Sequence, residues 1–394
     1  MEQKSLVKRI IAYAVVILLI ANFIMHASFS EIDSMLRYVG AKGMRQEEAD
    51  EADALDASYL EQFRLKQRLI DVNGYLTKLL GKREVMGMYI TDDARILTAY
   101  DETSTDYEYE QTVDFYAFLK ANDIRFLYVN EPIKYLDDAA FTESFGAETY
   151  SNQNADLLLM RLRDADVPVL DLREELLADG KDIGEMFYRT DHHWNVPAGL
   201  WASKQMAEGL NTYCGYDIDV SIYEPSNYEV TTYEDCWLGE QGRKVGRTRV
   251  GLEDYQMLAP KFATDFSFKS GTQVAYQGTF DAFLRPEVCN AENDIYESES
   301  WHYAYSRINC INNQADSGKV LFLCDSYDQV TEPFLALGVH EMDSVILRDC
   351  GDEFPLRDYI LEQGYDTVLV AYTQFMIGAH DDATSSNYRM FTFE

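Results

Sequence analysis

The chain has 394 residues, 68 acidic against 34 basic, and a formal net charge of -34, which excludes the electrostatic footprint of a nucleic-acid binder. Hydrophobic residues make up 47% and tyrosine alone contributes 28, so a large core is available and global disorder is excluded. Six cysteines without a CxxC spacing argue against a cysteine-held zinc or a thioredoxin-type motif. In an oxidising compartment they admit disulfides, with Cys214–Cys236 and Cys289–Cys310 as pairs by proximity in sequence; buried free thiols are the alternative.

Lys4, Lys8 and Arg9 precede a mostly apolar run at 10–29. About twenty residues, each rising about 1.5 Å, cross a hydrocarbon core of roughly 30 Å. Residues 1–30 therefore read as one transmembrane anchor. The basic flank predicts the N-terminus inside and the remainder outside the cytoplasm. The rival is a cleaved signal peptide, which ends in a small-x-small site; no clear Ala-x-Ala follows this run. Residues 31–80 read as a stalk and docking helix. The stretch 47–53 is acidic and solvated. Over 59–80, Phe63, Leu65, Leu69, Ile70, Val72, Leu76 and Leu79 recur at helical spacing, and Gly81 stops the helix.

Strand and helix alternate across 81–394. Strands are predicted at 85–90, 125–129, 167–172, 320–324, 344–347 and 367–371. Helices are predicted at 109–122, 155–165, 197–210, 329–337 and 356–363. Asn195 is a plausible cap for the third, with Pro197 in its first turn. This alternation predicts an α/β domain with a mostly parallel sheet and helices on both faces. Residues 215–318 break the rhythm and read as an insertion of short strands and loops that could wall a cleft. Sites in such sheets open at the carboxyl ends of strands.

Two stretches carry the candidate chemistry. In Thr190-Asp191-His192-His193-Trp194-Asn195, an acid two residues from an imidazole is the minimum for a general base held in one tautomer. If the segment is extended, Asp191 and His193 share a side and His192 points away. Ser326 directly follows the strand at 320–324 and precedes a helix, which puts its hydroxyl at the sheet rim and its N–H where an oxyanion would form. The reading is Ser326 as nucleophile, His193 as base and Asp191 as its orienting acid. Alternatives are local capping roles and a metal site built from Asp191 and both histidines, although adjacent histidines seldom reach one ion. His192, Trp194, Tyr327 and Arg189 are candidates to line a substrate cleft; for Trp194, packing under the loop is the competing role. Gly-x-Ser-x-Gly is absent, which excludes an ordinary α/β-hydrolase elbow.

The stretch Phe187-Tyr188-Arg189-Thr190-Asp191-His192-His193-Trp194 resembles the signature of the DHHW protein family. Leu323-Cys324-Asp325-Ser326-Tyr327 with Pro333-Phe334-Leu335 resembles its second block. Weaker likenesses are Asn73-Gly74-Tyr75-Leu76 and Trp237-Leu238-Gly239. That family is similar to the SGNH-hydrolase-like domains of alginate O-acetylation proteins. The resemblance implies a Ser326–His193–Asp191 triad and acetyl transfer or hydrolysis on cell-surface polysaccharide. It also implies a multi-spanning acyl-transporting membrane partner for a transferase, and neither metal nor cofactor. Cys324 departs from the pattern, standing where a glycine often precedes Asp-Ser. A non-catalytic glycan-binding or assembly protein is the alternative from another class, supported by the tyrosine-rich insertion.

Overall fold

The computed structural model describes residues 66–284, 308–316, 318–350, 354–378 and 388–394. The expected anchor and acidic stretch, and Cys289, lie outside these residues. Among the described residues no helix is long and apolar enough to cross a membrane. The chain divides into two units, Met1–Ile70 and Asp71–Glu394. The architecture below is that of the second, with the helix Lys66–Leu79 that runs into it from the end of the first.

The elements begin with α1 (Lys66–Leu79) and a small antiparallel sheet of β1 (Glu84–Val85), β2 (Met88–Ile90) and β3 (Ile96–Thr98). Then come α2 (Asp106–Ala121), β4 (Arg125–Glu131), α3 (Asp138–Phe145), α4 (Ser151–Asp164), β5 (Val169–Asp171), α5 (Leu172–Ala178) and α6 (Val196–Cys214). The middle of the chain holds β6 (Tyr228–Trp237), α7 (Glu240–Val245), α8 (Arg247–Val250), β7 (Glu253–Pro260), β8 (Phe266–Ser270), β9 (Gln273–Gly278) and β10 (Asn309–Asn312). The last part is β11 (Lys319–Leu323), α9 (Glu332–Leu335), β12 (Glu341–Val345), α10 (Leu356–Gln363) and β13 (Thr367–Thr373).

The main sheet has eight strands in the order β5-β4-β13-β11-β12-β10-β8-β9. Its first five strands are parallel and β10, β8 and β9 extend it antiparallel. The sheet is thus mixed, and the insertion is partly built into it. Every residue of β13, and all of β4 and β11 except the first of each, is buried, as expected where both faces are covered. Phe115 of α2 meets Phe126 edge to face at 6.0 Å. Gly209 of α6 lies against Leu127, on the opposite face of the same strand, where a Cβ would come within 3.0 Å of the leucine's methyl. Helices therefore cover both faces, and each buried phenylalanine contributes roughly 1.5–3 kcal/mol.

Several expectations change. The predicted strand at 85–90 is a hairpin outside the main sheet. Met86 (φ 56) and Gly87 (φ 75) adopt the left-handed pair that a two-residue hairpin turn needs. The predicted helix at 329–337 shrinks to a 3-10 turn, Ser326–Gln329, and the single turn of α9. Pro333 has no N–H to continue a helix from the preceding turn, so a new one starts around it. Cys214 and Cys236 are not paired: the first is buried with its Sγ toward Phe126 O, the second turns toward Tyr233 O. Cys310 is likewise a free thiol. The cap of α6 follows the sequence: Asn195 Oδ1 accepts the N–H of Ala198 at 3.0 Å, and Pro197 stands in the first turn.

Candidate active site

Ser326 opens the turn at the carboxyl end of β11. Asp325 caps that turn: one carboxylate oxygen accepts Tyr327 N–H at 2.8 Å, and the other accepts the N–H (2.8 Å) and the hydroxyl of Thr373 at the end of β13. A short polar side chain satisfies a turn's leading donors in this way. The Ser326 side chain is left half-exposed at the rim. Its N–H has no acceptor among the described residues, which leaves it available to an oxyanion.

The Asp191–His193 segment is the tip of a loop closed by a bridge between Phe187 and Trp194. It is not extended. Asp191 Oδ1 accepts the N–H of His193 at 3.1 Å, an Asx turn that draws the chain back on itself. The same oxygen lies 2.7 Å from His193 Nδ1, and His193 Nε2 lies 2.8 Å from Ser326 Oγ. A carboxylate only accepts, so Nδ1 carries the proton and Nε2 is free to take one from the serine. Asp191 Oδ2 accepts Glu240 N–H at 2.6 Å. Burial would raise the Asp191 pKa, but His193, His192 and the Glu240 N–H outweigh it and hold the carboxyl well below its ordinary range.

The bend also moves His192. It does not point away: its ring centre lies 3.8 Å from that of His193, the planes tilted by 38°, and its Nδ1 lies 3.4 Å from Asp191 Oδ1. Burial, then the neighbouring His193, push its imidazole down to about 4. It is uncharged at neutral pH. Asp191 and the two histidines form a set that could hold a metal ion. An ion there would have to displace His193 from Asp191 or from Ser326, because both ring nitrogens are engaged.

The insertion holds the loop from behind. Glu253 at the start of β7 accepts the N–H of Arg189 (2.7 Å), the N–H of Thr190 (2.9 Å) and the Thr190 hydroxyl. Thr190 Oγ1 in turn accepts Gly239 N–H at 2.9 Å. A Cβ on Gly239 would lie 2.3 Å from that of Asp191, so only glycine lets α7 approach the acid. Lys134 Nζ donates to Arg189 O and Asp191 O at 2.9 and 2.8 Å. Burial pushes its ammonium down to about 7 against the pull of Glu253 and Asp191.

Not every expected cleft residue faces a cleft. Trp194 is fully buried and donates its indole N–H to Tyr327 O at 2.8 Å, so it has no face to offer a sugar. Arg189 Nη2 donates to Leu252 O at 2.8 Å and braces the loop. His192 and Tyr327 do line a cleft, with Thr98, Tyr100, Ile133, Lys134, Tyr135 and Gln241. The Tyr327 hydroxyl itself is engaged by His192 O. Lys134, Tyr135 and Gln241 escaped the sequence reading. Lys134 and Tyr135 follow the carboxyl end of β4, where sites in such sheets open, and Gln241 follows the Trp237-Leu238-Gly239 block. The Gln241 amide N–H₂ donates to Thr98 Oγ1 at 3.1 Å, and its buried Oε1 has no donor among the described residues.

Residues 91–228 match the family model described as the SGNH hydrolase-like domain of the acetyltransferase AlgX. That match includes Asp191 and His193 and ends before Ser326. The chain is similar to the structure of Bacillus cereus PatB1 with a sulfonyl adduct: 21% identity, TM-score 0.59, covering 78% of this chain and 97% of that one. A DHHW family protein from Eubacterium siraeum is similar at 16% identity and TM-score 0.52, covering 75% of this chain and 93% of that one. The fold is SGNH-hydrolase-like. No curated protein matches by sequence.

Proposed function

We propose that this protein is a membrane-anchored, extracytoplasmic acyl enzyme that transfers or hydrolyses O-acetyl esters on cell-surface polysaccharide. The observation that carries the reading is the unbroken series Asp191–His193–Ser326, at 2.7 and 2.8 Å, opening beside a polar cleft. The likeness to an acetyltransferase domain over 91–228 supports the choice of acyl group.

Ser326 Oγ attacks the acyl carbonyl while His193 Nε2 takes its proton. The negative charge on the carbonyl oxygen faces the Ser326 N–H. Collapse expels the alkoxide, which takes the proton back from His193 and leaves an acetyl ester on Ser326. A second hydroxyl, from sugar or water, then gives its proton to His193 as it attacks that ester. Collapse breaks the bond to Ser326 Oγ, which takes the proton back from His193 while the acetyl group leaves on the sugar or as acetate. Asp191 stabilises the imidazolium at both stages. Gln241 lines the cleft, and its Oε1 has no donor among the described residues, so it is the candidate contact for an acceptor hydroxyl once its amide turns outward. A single anchor gives cytoplasmic acetyl groups no route outward, so transfer would need a multi-spanning partner that delivers them.

The test is turnover of a small acetyl ester by wild type, Ser326→Ala and His193→Ala. Each variant is expected to lose roughly 10³-fold or more, and the double variant little beyond that, because the residues act as a unit. Turnover that both substitutions leave intact would remove the reading.

A further inference from the structure

Beneath the nucleophile's turn lies a group of acids that the acyl chemistry does not use. Glu131 ends β4, and Asp328 sits in the turn that Ser326 opens. Both are 0% exposed, and their carboxyls lie with that of Asp325 within 4.8 Å of one another. Asp325 accepts three hydrogen bonds, one from Tyr327 and two from Thr373. Asp328 Oδ2 accepts the Asp325 N–H at 3.4 Å and completes the cap. Asp328 Oδ1 and both oxygens of Glu131 reach no N–H or hydroxyl donor among the described residues.

Among the described residues no cation compensates them. The charged groups facing Glu131 are Asp328 and Asp325; those facing Asp328 are Asp325, Glu131 and Glu332. The other titratable groups packed here are Tyr128, Tyr327 and Cys324, and burial first of all opposes the ionisation of each. Two carboxylates cannot both keep their charge in such a place. One proton between them turns two orphaned acceptors into one hydrogen bond.

We propose that Glu131 and Asp328 share one proton, and that this acid–carboxylate pair is the positioning device that fixes the turn carrying Ser326. The inference rests on the acyl-enzyme reading only in calling Ser326 a nucleophile. Burial, then the charges of Asp328 and Asp325, push the Glu131 carboxyl well above its ordinary value; burial, then Asp325, do the same to Asp328. A carboxyl raised by folding binds its proton in the native state and loses it on unfolding. Its contribution to stability is complete below the ordinary carboxylate range and disappears as pH rises through the folded-state value. Alkali therefore loosens the Ser326 turn from below. Glu332, whose carboxyl burial pushes up to about 8 and whose Oε1 receives the Cys324 thiol, acts in the same direction.

Melting of the full chain from about pH 5.5 to about pH 9 tests this, with wild type compared to Glu131→Gln. A glutamine amide donates to Asp328 Oδ1 without a borrowed proton. The alkaline fall in melting temperature is expected to become about half as steep, with Glu332 responsible for the remainder, and the variant is expected to be the more stable protein at the alkaline end. Asp328→Asn places a donor on the other side and should behave alike. In ester turnover the alkaline limb should move up by about one pH unit. Equal pH slopes in wild type and either variant would overturn the proposal. So would a chelator that lowers the wild-type melting point, which would put a cation where the proton is assigned. If neither variant folds, the wild type decides: a pH-independent or chelator-sensitive melting point sinks the assignment. Melting requires no activity, so a failed acyl reading leaves this test standing.

Discussion

The parallel half of the sheet and the inserted segment between α6 and β11 divide the candidate site between them. The parallel half presents Ser326 and the acids beneath it at strand ends, on backbone buried on both faces. The insertion contributes none of Asp191, His193 and Ser326. It supplies Glu253, Gly239 and the Glu240 N–H, which hold the loop bearing Asp191 and His193. The contrast separates presenting the Ser326 hydroxyl, which neighbouring strand ends of one sheet do together, from orienting His193, which takes contacts from a distant part of the chain.

Three substitutions probe that division. Asp191→Asn leaves the shape but turns a donor toward His193 Nδ1 and forces the wrong tautomer. Turnover of an acetyl ester is expected to fall roughly 10³- to 10⁴-fold with melting little changed; a loss below tenfold would detach Asp191 from the chemistry. Gly239→Ala acts from the insertion alone, since its methyl would collide with Asp191. Turnover should fall about 10- to 100-fold, with about 1–3 kcal/mol of stability lost by denaturant titration. Wild-type kinetics in that variant would mean the insertion does not orient the base. Gln241→Leu is the mildest. One hydrogen bond of about 1 kcal/mol is worth roughly fivefold, so the ratio of acetyl transfer onto a soluble oligosaccharide to hydrolysis should drop by about that factor. An unchanged ratio would relieve Gln241 of contact with the acceptor.

Much of this candidate site was legible because Asp191, His193 and Ser326 carry local signals. An acid two residues from a histidine, and a serine directly after an apolar strand, announce themselves in sequence, and their meeting across 133 positions follows from the rule that sites open at strand ends. The direction of His192 was not legible. It depends on an Asx turn, which a local backbone bond selects over the extended form without changing the residue pattern. Trp194 reads equally well as a platform or as packing until its burial is known. Glu131 looks like an ordinary strand-end acid, and only the approach of Asp328 gives it a task. The antiparallel strands of the insertion were blurred by short length and polar composition: all but the last residue of β9 are exposed, so no buried run marks it as part of a sheet.

Trp194 and Tyr327 each reach across to the other's loop, indole N–H to Tyr327 O and phenol to His192 O. These reciprocal tethers set the register of imidazole and hydroxyl through space, without help from the covalent path between them. The intervening chain is thereby released to lengthen or diverge. The antiparallel pair β6–β7 and three added strands sit in that path, and His193 and Ser326 still arrive in step.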